Sequence, residues 1–306
     1  MKGANMIISA SRRTDIPAFY SNWLISRIKE GYVTIKNPFN GNKKTISILP
    51  QDVCMIVFFT KNPGPLMDHL ELLDRLGYKY YFHFTVNNYP ALYEPNLPPI
   101  NKILDTFREL SLVLGRDRVI WRYDPVIISD LTDVDFQMRN FDYLAGNLKD
   151  HTGKCVFSIL DFYKKTKRKL TLLNNLHGIR TVDLNNENNR ELLKKTLTAI
   201  KQIADHYKIQ LASCAEFFDP QQFGIEPNSC INGELINNLS GSAFKFSKDR
   251  NQRKECLCAQ SVDIGVYNTC LHNCTYCYAN QSRQAVETNF AGHDPKSPIL
   301  TGRANL

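Results

Sequence analysis

The chain has 306 residues, of which 43% are hydrophobic and 22% charged. That composition belongs to a folded protein with a sizeable core and excludes a disordered one; the length allows one large barrel or two ordinary domains. No apolar run approaches the roughly 18–20 residues of a membrane helix, and residues 1–5 lead into no signal-peptide hydrophobic region, so no membrane partner and a cytoplasmic location are expected. The formal net charge of +8 is compatible with nucleic acid or an anionic substrate and establishes neither.

Apolar, β-rich runs predict strands over residues 6–12, 53–60, 79–87, 118–124, 154–160, 209–214 and 262–267. Helical patterns fill most of the gaps, at 21–30, 66–76, 100–114, 135–148 and 189–207. In the last of these, Leu192, Leu193, Leu197, Ile200, Ile203 and Ala204 recur at helical spacing. Residues 32–36 and 45–49, around Asn40-Gly41, read as a β-hairpin insertion. Strands alternating with helices imply βαβ units and an α/β fold with a parallel sheet. Six to seven such units favour a partial or full TIM-like (β/α) barrel over an open doubly wound sheet. The run Lys164-Lys165-Thr166-Lys167-Arg168-Lys169 is a solvated helix face or loop, or else a phosphate-binding patch. Residues 219–255 are rich in Asn, Gln, Ser and Lys and read as an irregular excursion, a length of loop usually functional or pinned by metal. The division expected is 1–218 as the barrel body, 219–260 as a cysteine-containing excursion, and 261–306 as a last strand, loop and tail of the same barrel domain.

Charged and polar residues follow the strands abruptly: Arg12, Arg13 and Asp15; Lys61 and Asn62; Asn87 and Asn88; Arg122 and Asp124; Asp161; Cys214 and Glu216. Parallel barrels gather such groups on the face where the strands' C-terminal ends converge. Two or three arginines facing one pocket would suit a carboxylate or phosphate. Arg–Asp pairs such as Arg122 with Asp124 would instead neutralise each other and brace the barrel.

Nine cysteines are present, seven of them between Cys214 and Cys277. An odd, clustered set without an export signal points to metal ligands rather than disulfides. Cys54 and Cys155 sit in apolar strand segments as buried small residues. The segment Cys270-Leu271-His272-Asn273-Cys274-Thr275-Tyr276-Cys277 has C-x3-C-x2-C spacing. Three thiolates on one loop can hold three irons of a [4Fe–4S] cube and leave the fourth open. Zinc is the alternative, although structural zinc prefers four ligands in paired C-x2-C knuckles; His272 would be an awkwardly placed fourth. The remaining clustered thiols, Cys214, Cys230, Cys256 and Cys258, are the number a second cube needs. They also suit zinc, or Cys214 is a buried strand residue and only Cys256 and Cys258 meet metal.

The C-x3-C-x2-C segment with an aromatic before its last cysteine resembles the radical S-adenosylmethionine (SAM) signature. With Gly265-Val266-Tyr267 before it and Tyr276-Cys277-Tyr278-Ala279 at its end, it is similar to the branch containing spore photoproduct lyase. Ser11-Arg12-Arg13-Thr14-Asp15-Ile16-Pro17, Phe59-Thr60-Lys61-Asn62-Pro63, Phe84-Thr85-Val86-Asn87-Asn88 with Glu94-Pro95 and Pro98, and Trp121-Arg122-Tyr123-Asp124-Pro125-Val126-Ile127 resemble that branch's successive strand ends. The resemblance covers residues 6–135 and 262–280. The signature normally follows the first barrel strand, whereas here it follows the last, which implies a circular permutation with 262–267 spatially first and 6–12 next to it. Termini of barrels lie close together, so permutation is physically undemanding. The whole chain also resembles a bacterial family of unknown function with the same C-terminal cysteine pattern.

What the resemblance implies is a [4Fe–4S] cluster on Cys270, Cys274 and Cys277 that chelates SAM and cleaves it reductively. The products would be methionine and a 5′-deoxyadenosyl radical that takes a hydrogen from the substrate, with an electron donor such as flavodoxin or ferredoxin. Lys61 and Thr85 would bind the SAM carboxylate, and Tyr276 would pack near adenine; Lys61 in a salt bridge across the barrel mouth is the plainer alternative. Arg12, Arg13, Asp15, Arg122, Asp124, Asp161 and Glu216 would line the substrate side, with Tyr123, Tyr163 or Cys214 as hydrogen donors to a substrate radical. Repair of nucleic-acid lesions is a second expectation, without an aromatic-rich nucleic-acid module to support it. A non-enzymatic, metal-stabilised binding or electron-transfer protein is the third.

Overall fold

A computed structural model describes residues 6–38 and 40–302; residues 1–5, which bear on an export signal, lie outside the described residues. Eight strands form one sheet: β1 (Met6–Ala10), β2 (Val53–Thr60), β3 (Tyr80–Thr85), β4 (Val119–Val126), β5 (Lys154–Ile159), β6 (Gln210–Ser213), β7 (Glu226–Pro227) and β8 (Val262–Asp263). Their spatial order is β7-β6-β5-β4-β3-β2-β1-β8, and every neighbouring pair is parallel. Seven strands thus run in one direction across the sheet, and the eighth returns to the far side of the first. Parallel neighbours need crossovers. Helices Ser21–Glu30, Ile100–Leu114, Val134–Leu148, Lys164–His177 and Arg190–His206 supply most of them. A small antiparallel hairpin, Tyr32–Lys36 with Lys43–Ser47, interrupts the first crossover.

The two faces of the sheet are covered differently. On the outer face, Phe58, Phe82, Phe84, Trp121 and Phe157 pack with Trp23, Phe107, Phe141, Leu197 and Ile200 from the helices. Trp121 stacks on Phe141 at 4.8 Å between ring centroids, and Phe84 on Phe107 at 5.1 Å. On the inner face, Ile7, Met55, Val57, Tyr81, Ile120 and Val156 pack against Cys230, Ile231, Ile236, Cys256 and Cys258. The excursion therefore crosses the inside of the sheet on its way from β7 to β8. With both faces buried, β2 carries a continuous apolar run rather than an alternating one.

The sheet is also curved. Six inter-strand gaps separate β6 from β8, roughly 29 Å if flat at ~4.8 Å per gap. Yet one cavity touches both Cys214, after β6, and Asp263, in β8. Among the described residues β7 pairs only with β6, and β8 only with β1.

Two departures from the sequence reading have identifiable causes. The last strand stops at Asp263 rather than at 267, because its carboxylate accepts bonds from the Ser9 and Ser11 hydroxyls and from the Arg12 and Gly265 N–H groups. That turns the chain across the end of β1. The excursion is not structureless: Gly233–Ser240 is helical, with the Asn232 side chain accepting from the Leu235 N–H. Eight residues were too few to show periodicity. Lys164–His177 is a helix, one of the readings of the basic run, and Arg283–Ala291 is a helix that no pattern announced. No helix among the described residues is long and apolar enough to cross a membrane.

Gly265 permits the turn after β8. A Cβ there would lie 2.0 Å from the Ser11 hydroxyl oxygen and 2.6 Å from the Ser11 Cβ. Gly265→Ala is expected to cost about 1–3 kcal/mol in urea unfolding through overpacking, with part of the loss recovered by adding Ser11→Gly. An unchanged midpoint would show that the two segments are not in this contact.

On the inner face, His83 is buried, with Nε2 2.7 Å from the Cys230 carbonyl oxygen. Burial, aided by the Arg122 charge, pushes its pKa down to about 3. A folded-state value below the unfolded one near 6.5 means stability is complete above pH 6.5 and drains as acid charges the unfolded chain, by ~1.4 kcal/mol per pH unit. Urea midpoints at pH 7, 6 and 5 are expected to fall less for His83→Gln than for the wild type; parallel lines would contradict the assignment.

Candidate metal and cofactor site

A cavity of about 480 Å³ opens at the C-terminal ends of the strands, and all seven clustered cysteines line it. One wall is the loop after β8. Asn268 N–H donates to the Ala279 carbonyl (3.1 Å) and the Asn280 amide to the Cys270 carbonyl (2.7 Å), closing the loop on itself. Asn273 takes a left-handed conformation, φ +53°, between His272 and Cys274, a shape asparagine tolerates better than branched residues. Two further bonds fix the loop from outside: Tyr20 OH to the Thr269 carbonyl (2.7 Å) and Thr275 N–H to the Tyr93 carbonyl (2.9 Å).

The result is that Cys270, Cys274 and Cys277 face the cavity from one short loop. Burial pushes the Cys274 thiol up to about 12 although Lys61 pulls the other way. Burial, and then the Asp15 charge, raises the Cys270 thiol well above its usual range. The Cys277 sulfur accepts the Ala279 N–H at 3.3 Å.

Asp15 holds this loop to the strand ends. Its Oδ1 accepts from the Ala18 N–H (3.0 Å) and the Thr60 hydroxyl (2.7 Å); its Oδ2 accepts from the Lys61 N–H (2.7 Å) and contacts His272 Nε2 (2.9 Å). Both oxygens are fully engaged, so Asp15 is a brace, and His272 Nε2 is turned to it rather than to the thiols. Lys61 lies in a salt bridge with Glu94 (2.7 Å) and 5.6 Å from the ring centre of Tyr276. The same oxygen, Glu94 Oε1, accepts from the Asn87 amide (3.1 Å) and from the Tyr276 hydroxyl. Thr85, at the end of β3, lines the cavity.

The opposite wall carries the other thiols. Cys214 and Cys230 have their sulfurs 3.3 Å apart. Cys258 interacts with Cys230 on one side and with Cys256 on the other, so the four form a chain of neighbours from three segments. Arg122 Nη1 lies 3.0 Å from the Cys230 sulfur. Contact with Cys258 lowers the Cys256 thiol to about 7. Ala215 adopts a left-handed φ of +56°; the bend turns Cys214 into the cavity, while Glu216 accepts the Ile159 N–H at 3.0 Å. Burial raises the Glu216 carboxyl well above its usual range, with that N–H opposing. Among the described residues no three His, Cys, Asp or Glu side chains are grouped as ligands of a single metal ion.

Most cations of the cavity are matched by carboxylates, while Arg13 lies over the Tyr267 ring, 5.4 Å from its centre. Arg122 pairs with Asp124 at 2.5 Å, Arg253 with Asp161 at 2.7 Å, and Arg12 with Asp249 at 3.6 Å and Asp263 at 3.9 Å. Burial alone would raise the Asp124 carboxyl, but the Arg122 guanidinium holds it below the usual carboxylate range.

Sequence reasoning overlooked Glu94 as a site residue, along with Arg253 and Asp249. Glu94 sits nine residues beyond β3, and Arg253 and Asp249 lie in the excursion; in neither place does a period announce a direction. Lys169 was hidden in the basic run. Its ammonium donates to the Cys277 carbonyl at 2.9 Å, and its position three residues after buried Thr166 is the signal that could have separated it from its exposed neighbours.

Removing one partner from a buried ion pair leaves an uncompensated charge, a loss of about 3–5 kcal/mol. Glu94→Gln is expected to lose on that order in urea unfolding, and the double variant Glu94→Gln, Lys61→Met to regain much of it. Equal stabilities for the single variant and the wild type would show that the pair contributes nothing.

No curated protein matches this sequence. The model of the domain of unknown function DUF1848 matches residues 7–279, most of the chain from β1 to the end of the cysteine loop, and the protein belongs to that family.

Proposed function

We propose that the protein is a radical SAM enzyme whose [4Fe–4S] cluster is held by Cys270, Cys274 and Cys277, and that its sheet is a circularly permuted partial (β/α) barrel. The observation that carries this reading is the confluence of seven thiols and the strand-end polar groups in one cavity. Three of those thiols come from a single loop, the donor set of a cube with one open iron. Zinc is the weaker reading, because structural zinc prefers four ligands in paired C-x2-C knuckles; His272, whose Nε2 contacts Asp15, could offer only its Nδ1 as a fourth. The sheet order supports permutation, since β8 lies beside β1 and continues the otherwise unbroken sequence of strands.

The cluster with SAM would supply reductive cleavage of a carbon–sulfur bond and, through it, hydrogen abstraction. The chain's own residues would position and shield. Lys61, held by Glu94 beside Tyr276, would offer a carboxylate a charged donor; Thr85 would offer a hydroxyl from β3. Arg12, Arg122 and Asp124 would meet the substrate from the cavity wall, with Glu216 behind it. Asp15 would keep the loop in register with β1 and β2. Because Arg12, Arg122 and Arg253 already have carboxylate partners, while Arg13 lies over the Tyr267 ring, the pocket fits a small polar molecule whose anionic groups meet Arg13 or compete for those pairs. Cys214, Cys230, Cys256 and Cys258 would hold a second cluster; ligation there would pin the excursion, as metal binding contributes directly to folding.

Anaerobic purification is expected to give a brown protein with about eight irons per chain; about four would show that only the loop is loaded and would overturn the second cluster. Release of 5′-deoxyadenosine from SAM on adding dithionite, abolished in Cys274→Ala, is the expected activity. Stoichiometric zinc without iron, or an iron-loaded protein that releases no 5′-deoxyadenosine, would overturn the reading.

A further inference from the structure

The helix Lys164–His177 carries five Lys or Arg residues and no Asp or Glu. Lys164, Lys165, Lys167 and Arg168 are exposed, and none of them is in a salt bridge. Its inner face touches the cysteine loop: Lys169 Nζ donates to the Cys277 carbonyl at 2.9 Å, and the Thr166 hydroxyl lies 3.5 Å from the Tyr276 carbonyl. A helix with side chains is ~10–12 Å across, so the charged outer face lies about one helix width from Cys277. The same outer face exposes two leucines in line with Arg168: Leu172 is 56% exposed and Leu176 67%. Positions 168, 172 and 176 follow one another at i, i+4 on a single stripe.

We propose that this stripe is the docking surface for an acidic one-electron carrier protein that reduces the cluster. The inference rests on the radical SAM reading, which requires an external electron: the carrier loses one and the cluster gains one, with no bond made or broken. Three features select this partner. The positive charge is concentrated over the thiol loop, while Arg12, Lys61, Arg122 and Arg253 inside the cavity are neutralised by Asp and Glu. Lys165 lies over the Tyr267 ring, and the charges of Lys164, Lys167 and Arg168 remain on the outside, where they steer an oppositely charged protein. The exposed leucines extend the stripe beyond the charges as an apolar patch, and protein interfaces combine apolar and charged contacts of this kind.

The test compares two reductants on the anaerobically loaded full chain. The triple variant Lys164→Glu, Lys167→Glu, Arg168→Glu and the wild type are assayed for 5′-deoxyadenosine release, once with excess dithionite and once with a limiting amount of reduced flavodoxin. With dithionite the two are expected to be equal. With flavodoxin at low salt the variant is expected to be slower by tenfold or more, and the wild type alone to lose rate as salt is raised. Leu172→Ala, Leu176→Ala, which leaves the charges in place, is expected to weaken flavodoxin binding while retaining the dithionite rate.

Equal flavodoxin-driven rates in charge-reversed and wild-type protein would overturn the docking surface and leave the enzyme reading intact. Salt-sensitive retention of a DNA duplex, lost on charge reversal while the flavodoxin-driven rate is unchanged, would reassign the helix to nucleic acid. No release by the wild type with dithionite, despite a full iron content, would remove both.

Discussion

The site depends on one pairing. Ile8 and Ser9 of β1 stand in parallel register with Val262 and Asp263 of β8, bringing together segments some 250 residues apart along the chain. Two residues of strand are a weak ladder, and the junction is held instead by Asp263, whose carboxylate gathers two hydroxyls and two N–H groups at the end of β1. Charge-assisted bonds of that kind are among the stronger ones a protein makes. Asp15 repeats the device one step further out, joining the ends of β1 and β2 to His272 inside the cysteine loop. Loss of either carboxylate would free the loop before it disturbed the sheet.

A second constraint is electrostatic. The cavity gathers Arg12, Lys61, Arg122 and Arg253 from different elements, and unpaired cations there would repel one another and resist burial. Each is answered by a carboxylate: Asp249 and Asp263, Glu94, Asp124, and Asp161. Two of these partners, Arg253 and Asp249, come from the excursion, so the segment that plugs the inner face also balances its charge. The net charge of +8 is thus carried elsewhere, and the helix at 164–177 holds a concentrated part of it.

Much of this was legible in the sequence where a period or a spacing existed. The helices 21–30 and 100–114 fall where their apolar residues place them, and the strand cores match because runs such as 53–60 can be buried only as central strands. Most of the polar residues following the strands converge on one cavity, although Asn62, Asn87, Asn88 and Glu216 do not line it, as parallel strands whose ends share a face allow. What escaped was set by tertiary contact. Asp263 ends its strand through partners on β1, which no local pattern records. The helix at 233–240 has too few turns to show a period, and the pairing of Arg253 with Asp161 joins the excursion to β5 across most of a hundred residues.

The excursion raises the hardest physical question, because it fills the inside of the sheet with sulfur rather than with aliphatic carbon. Cys230, Cys256 and Cys258 occupy positions beside Met55, Val57 and Tyr81, where leucine or valine would pack as well or better. Thiols behave as small hydrophobes, so burial by itself is no puzzle. Four of them in contact from three separate segments is different, since packing alone gives no reason for sulfur to meet sulfur. Arg122 set against the Cys230 sulfur opposes the neighbouring Cys258 and the burial that hold that thiol up at about 11. Substituting all four by serine or alanine therefore separates packing from ligation. If sulfur serves only to fill space, alanine should leave small cavities and a modest loss. If it serves to bind, the excursion should lose its order as a unit, and the iron content should fall with it.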